Sequence, residues 1–282
     1  MRVTTLVENQ PSPDDPLLRA EWGLSQCVEI GSRRLLLDMG ASDAFARNAD
    51  RLGIDLATVD AAILSHHHYD HGGGLRRFLG LNDRAPVYLG QMPAGAPVGH
   101  SDGHNDRYIG LDPGLMTEHA ARFRVVRERS EVLPGVFVLP GIDGRHARPS
   151  GNRRLFVRTA QELAADDFRH EIAVAICERG MVTAFTGCAH SGVLNMIEKV
   201  QQEFPGVPIR SVVGGFHLVA HGPQGVLADR EEAIVALGRR LLDLGVEETW
   251  TGHCTSTQAY GVLRRVMCDR LRRLHTGSRF EL

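Results

Sequence analysis

The stretch Ala61-Ala62-Ile63-Leu64-Ser65-His66-His67-His68-Tyr69-Asp70-His71-Gly72-Gly73-Gly74 decides how the rest of the chain is read. The apolar run is short enough for a buried strand. It passes directly into histidines, an aspartate and a glycine run. At an extended strand end, residues two apart face the same way, so His66 and His68 present their imidazoles to one ion. Asp70 and His71 lie past a turn, placed to point back toward a second ion. Neutral imidazole and carboxylate suit zinc, and also manganese or iron. So compact a ligand set leaves coordination positions for water, as a catalytic site requires. His67 is expected to point away and serve packing.

The composition around this stretch is that of an ordinary folded protein. The chain has 282 residues and a formal net charge of −2, with 43% hydrophobic and 23% charged residues. That supports a sizeable core and excludes a disordered tail or a collagen-like repeat. No run approaches the ~20 apolar residues of a membrane span. The near-neutral balance supplies no global basic field for nucleic acid, and the arginines of 264–273 read as a solvated face. The start, MRVTTLVENQ, lacks the apolar core of a secretion signal, so a cytoplasmic protein is expected. Cys27, Cys177, Cys188, Cys254 and Cys268 are odd in number and show no CxxC spacing, which argues against a disulfide framework.

Periodicity and turn residues supply the elements. Residues 2–8, 25–30 and 34–38 read as strands, the last two forming a hairpin at Gly31-Ser32. Residues 42–52 are helical up to Gly53, and 90–118 read as a loop insertion. Strands are predicted at 122–127, 132–139, 153–158, 172–177 and 181–186. Val193, Ile197, Val200 and Phe204 mark a helix face, followed by a strand at 209–213. Asp229 with Glu232 reads as a capping box before a helix that stops at Gly245. A strand at 246–251, a helix at 256–267 and a last strand at 270–281 complete the chain. The order predicts a single α/β (α+β) domain over 1–282, two packed sheets with outer helices.

Three later histidines each follow a strand that ends in glycine or a turn: His190 in TAFTGCAHSG, His217 in VVGGFHL and His253 in TWTGHCTS. Such strand ends are where these folds place ligands. His190 and His253 are read as metal ligands. His217 is read as a contact to substrate or transition state, with ligation as the other reading.

The pattern His66, His68, Asp70, His71 resembles the H-x-H-x-D-H signature of the metallo-β-lactamase superfamily. The resemblance narrows at ENQ (8–10), EWGLS (21–25), LLLDMG (35–40), NADRLGIDL (48–56), SHHHYDHGGGL (65–75), TGCAHSGVLN (186–195), GGFHL (214–218) and TGHCTS (251–256). These are similar to the 7,8-dihydropterin-6-yl-methyl-4-(β-D-ribofuranosyl)aminobenzene 5′-phosphate synthase subgroup. Trp22 and His67 depart from that subgroup's usual His and Gly. Cys188 stands where the wider superfamily places a metal-bridging Asp, either as a thiol ligand or as an inert buried cysteine. The absence of the Glu found in oxygen-reducing diiron relatives argues against redox chemistry.

The resemblance implies an αββα sandwich and one or two divalent ions. His66, His68 and His190 would hold the first and Asp70, His71 and His253 the second. The reaction implied is hydrolysis, or phosphoryl- or pyrophosphate-type transfer, on a small phosphorylated substrate of pterin or nucleotide type. Water activated by the metal would attack, with Asp70 orienting it and His217 stabilising developing charge. Gly73 and Gly74 are expected to offer amides to an anionic group. Arg107 and Tyr108, with His100 and His104, would line a lid over the substrate. Candidate partners are an anionic small molecule and a second copy of the chain. Two other readings are a nuclease or cyclic-nucleotide phosphodiesterase, and a non-catalytic protein that senses a ligand through its metal.

Overall fold

In a computed structural model, which describes residues 1–100, 106–220 and 226–282, the chain divides into two compact units. The first comprises Met1–Arg127, Arg153–His170 and His275–Glu281; the second comprises Glu128–Asn152, Glu171–Leu274 and Leu282. His104 lies outside the described residues.

The first unit is built on a seven-stranded sheet. From edge to edge its strands are Arg279–Glu281, Arg2–Val7, Ser25–Ile30, Arg33–Leu37, Ala61–Leu64, Val87–Leu89 and Phe123–Val125. The first four pair antiparallel and the last four parallel, with Arg33–Leu37 shared between the two halves. Ala61–Leu64 is buried throughout, as a strand inside a parallel stack must be. The helices Ala44–Arg51 and Leu75–Leu81 cover one face. Phe45, Ala49, Leu75 and Phe78 pack there against Leu6, Leu36, Ala62, Leu64 and Leu89. Each such fully buried large side chain contributes ~1.5–3 kcal/mol.

The second unit repeats this plan in its own sheet. Its strands run Leu271–Arg273, Glu248–Thr251, Ile209–Gly214, Met181–Phe185, Ala173–Glu178, Val136–Leu139 and Ser130–Leu133. The first four are parallel and the remainder antiparallel. The helices Val193–Glu203, Glu231–Asp243 and Thr257–Met267 pack on it through Met196, Ile197, Val200, Ile234, Leu241 and Leu263.

Several expectations need correction. The apolar run 132–139 is two strands, because Gly135, at φ +78°, turns the chain back. The segment 270–281 is also two strands, in different sheets, separated by a turn with Gly277 at φ +85°. The loop expected at 90–118 contains Ala96–His100, Asp106–Tyr108 and a short helix, Leu115–Glu118. Those two strands join Leu155–Arg158 and Leu163–Ala165 in a small antiparallel sheet of the first unit. The capping box does not form: Arg230 is the N-cap, without a side-chain bond, and the Asp229 carboxylate accepts the Ser150 N–H instead.

Candidate functional site

In the first unit, Ala61–Leu64 delivers His66, His68, Asp70 and His71 to the carboxyl end of a parallel strand, where open α/β sheets carry their ligand sites. All four are buried. The His66 ring lies 4.6 Å from that of His68 and 4.2 Å from that of His71, centroid to centroid. The chain leaves His68 in an extended conformation and enters the one-turn helix Tyr69–Gly72, which brings Asp70 and His71 round.

One carboxylate orders the group. Asp38 ends the neighbouring strand and sits at φ +55°. Its Oδ1 accepts the Ser65 N–H at 2.7 Å, and its Oδ2 accepts the Ser65 hydroxyl at 2.8 Å. The same Oδ2 lies 2.6 Å from His71 Nδ1, so that nitrogen carries the proton. Ser65 has only one hydroxyl proton and gives it to Asp38. Its 2.9 Å contact to His66 Nδ1 must therefore be donated by the imidazole. Both rings are fixed as Nδ1–H tautomers, and a metal bond would be made through Nε2. Burial pushes His68 down to about 3, which keeps it in the neutral, ligating form. Asp38 stands in the quoted LLLDMG, but no sequence period assigns it this role.

His67 is a packing residue, buried with its Nε2 3.4 Å from the Gly90 carbonyl. The glycines have a job other than the one expected. The Gly72, Gly73 and Gly74 amides donate to the carbonyls of His68, Tyr69 and Gly40, so they are engaged internally rather than by an anion. A Cβ on Gly73 would lie 2.2 Å from the Ala41 carbonyl oxygen, and one on Gly74 2.2 Å from that of Met39. These positions need glycine because backbone passes against backbone. Arg107 places its guanidinium 4.7 Å over the Tyr69 ring. The Tyr108 hydroxyl donates to the Leu111 carbonyl at 2.6 Å.

In the second unit, three adjacent parallel strands end in candidate donors: Met181–Phe185 before Cys188 and His190, Ile209–Gly214 before His217, and Glu248–Thr251 before His253. Ala189, His217 and His253 have φ of +58°, +48° and +49°, a region that non-glycine residues avoid and that clusters at functional sites. Glu171 holds the His190 turn by accepting the N–H groups of His190 at 2.7 Å and Ser191 at 2.6 Å. Asn152 donates to the His190 carbonyl, which turns its Oδ1 toward His190 Nδ1 at 3.0 Å. His190 is thereby also an Nδ1–H tautomer.

The ligating atoms of Cys188, His190 and His217 lie within 4.8 Å of one another, as do those of Cys188, His253 and Cys254. His217 Nδ1 is buried with no hydrogen-bond partner among the described residues. Cys254 was not singled out in the sequence. Burial by itself would raise its thiol. Hydrogen bonds from Cys188 and His217, and the charges of His253 and His217, hold it well below the usual value. Neutral imidazoles with ordered Nδ1 atoms, together with soft sulfur, fit a borderline divalent ion such as zinc.

A profile of the metallo-beta-lactamase superfamily matches residues 23–189, a span that holds His66, His68, Asp70, His71 and Cys188. The chain is 27% identical over 293 residues to the 7,8-dihydropterin-6-methyl-4-(β-D-ribofuranosyl)-aminobenzene-5′-phosphate synthase of Methanocaldococcus jannaschii, covering 99% of this chain and 95% of that one. The crystal structure of a metal-dependent hydrolase of the β-lactamase superfamily, also 27% identical, superposes with a TM-score of 0.81 over 100% of this chain and 99% of the other. Zinc-bound PqqB from Methylobacterium extorquens is 16% identical and shares the fold, with a TM-score of 0.56 over 100% of both chains. The profile spans more than half of the sequence and the fold is shared from end to end, and on that basis the chain belongs to the metallo-β-lactamase superfamily.

Proposed function

We propose that the protein is a metal-dependent enzyme that hydrolyses, or transfers a phosphoryl or pyrophosphate-type group from, a small phosphorylated substrate. The observation that carries this reading is the set of buried imidazoles whose tautomers are fixed by Asp38, Ser65 and Asn152. Such ordering holds a ligating nitrogen in one direction, as metal sites require. His66, His68, Asp70, His71, His190 and His253 are the proposed ligands, with zinc as the preferred ion and manganese or iron as the others. A bound divalent ion supplies Lewis acidity and lowers the pKa of water toward ~7.

The chain's own groups supply the rest. Asp70 accepts a hydrogen bond from the attacking water and takes its proton. His217 donates to the oxygen on which charge develops. Arg107, exposed above Tyr69, offers a cation to an anionic substrate. The pterin-type substrate class is suggested by the synthase relative, and a nucleotide-like phosphate is the broader category. Arg264, Arg265 and Arg272 pair with Asp269, Glu231 and Glu248, which speaks against a basic track for long nucleic acid. Among the described residues no helix is long and apolar enough to cross a membrane.

The test is elemental analysis of the purified protein alongside turnover of phosphorylated pterins and nucleotides. Between one and two transition-metal ions per chain are expected, with turnover that a chelator abolishes. His68→Ala should remove most of the metal and leave the fold, since His68 stands at a strand end rather than in the apolar core. Full metal occupancy in His68→Ala would overturn the ligand assignment, and chelator-insensitive turnover would overturn the metal-dependent reading.

A further inference from the structure

Behind the histidine run lies a buried pair with no part in the reading above. Asp166 and His170 come from the segment that follows the small sheet, about a hundred residues further along the chain. Their side chains are 1% and 0% exposed, and His170 Nε2 lies 3.1 Å from Asp166 Oδ2. The ligating atoms of His68, Asp166 and His170 lie within 4.8 Å of one another, which invites a reading as a further metal site.

The hydrogen bonds argue for something else. His170 Nδ1 accepts the backbone N–H of His67 at 3.3 Å, so it must be the unprotonated nitrogen. Nε2 then carries the proton and gives it to Asp166. With both ring nitrogens engaged, His170 has no lone pair left for a metal. Asp166 is itself held, since its Oδ1 accepts the Phe168 N–H at 2.8 Å across a turn in which Phe168 adopts φ +53°. The chain of contacts runs from that turn, through a carboxylate and an imidazole, to the peptide between His66 and His68. The His170 ring also stacks 6.4 Å from His66 at an interplanar angle of 20°, and lies 5.9 Å from His68.

We infer that His170, oriented by Asp166, is a positioning residue: it pins the His67 peptide so that His66 and His68 hold their side chains at a fixed spacing for metal. This rests on the proposal that His66 and His68 are ligands. Side-chain orientation alone cannot set that spacing, because a slack peptide between two ligands lets them part. Outer partners of this kind are commonly worth 10–100-fold in metal affinity.

The two nitrogens of His170 can be mimicked separately. In His170→Asn the amide oxygen stands near the place of Nδ1 and still accepts the His67 N–H. In His170→Gln the amide nitrogen reaches the place of Nε2 and still donates to Asp166, but the acceptor for His67 is gone. Zinc affinity is measured by chelator competition for the wild type, His170→Asn, His170→Gln and His170→Ala. Hydrogen exchange at the His67 amide and melting of the metal-free proteins are measured alongside. Gln and Ala are expected to weaken zinc binding by roughly 10–100-fold and to speed exchange at His67, while Asn stays close to wild type in both.

A space-filling role predicts equal behaviour of Asn and Gln. That result, or wild-type zinc affinity in His170→Ala, overturns the inference. If His170→Ala fails to fold, the Asn and Gln variants decide. If the wild-type chain binds no zinc, the ligand reading fails, and His67 exchange in Asn against Gln still decides whether the peptide is pinned.

Discussion

His217 separates the roles of ligand and substrate contact more sharply than any other side chain. Its backbone is strained at φ +48°, its N–H is committed to Cys254 Sγ at 3.2 Å, and its Nδ1 is buried with no hydrogen-bond partner among the described residues. If it donates to developing charge, His217→Ala should lower the rate by roughly 10²–10³ and leave metal content near wild type. Paired metal analysis and kinetics read this, and loss of metal together with activity would make it a ligand. His67 gives a prediction on stability. Burial pushes its imidazole down to about 3, against about 6.5 in an unfolded chain. Between those values the unfolded chain takes up a proton that the native one refuses. The contribution is therefore whole above about pH 6.5 and is lost as pH falls, by about 1.4 kcal/mol per unit. From pH 7 to 5 the wild type should lose about 2 kcal/mol more than His67→Asn, measured by denaturant midpoints. The candidate donor histidines can be picked out in the sequence because strand run-out, spacing and glycines are all local signals. Asp38, Asn152, Glu171 and Cys254 cannot, since what they do depends on contacts with segments 19 to 66 residues away.

The elements around the histidine run show how tightly backbone packs there. Gly74 caps the helix Leu75–Leu81, and an added Cβ would meet the Met39 carbonyl at 2.2 Å and Phe45 Cε1 at 2.5 Å. Gly80, in the same helix, has nothing among the described residues within 4 Å of its own added Cβ. Gly74→Ala should therefore destabilise by at least ~1–3 kcal/mol, and Gly80→Ala should be neutral or stabilise by up to ~1 kcal/mol. Thermal melts of the two variants distinguish a steric need for glycine from mere helix propensity. Helices with a clear apolar face, such as Val193–Glu203, were legible to within a residue or two. The strand pairs Ser130–Leu133 with Val136–Leu139, and Leu271–Arg273 with Arg279–Glu281, were not. A continuous apolar stretch gives the same pattern whether or not a glycine reverses it, and only pairing partners decide which sheet a short strand joins.

Across the whole chain, two seven-stranded sheets follow one plan, and in each the candidate donors follow the carboxyl ends of the parallel strands. A metal held only by the native arrangement of these donors stabilises the folded state by mass action. At a free concentration a thousandfold above its dissociation constant, that is ~4 kcal/mol. Stripping the metal should lower the denaturation midpoint accordingly, and returning zinc should restore it in a concentration-dependent way; an unchanged midpoint would show that the ion is not bound by native structure alone. The backbone at these strand ends has one more consequence. Asp38, Ala189, His217 and His253 all occupy the left-handed region, where glycine would sit with less strain. Glycine would relax the backbone at all four, and at Asp38, His217 and His253 it would also remove a candidate donor or an orienting carboxylate, whereas at Ala189 the turn would be kept. At those three positions stability and the proposed chemistry pull in opposite directions.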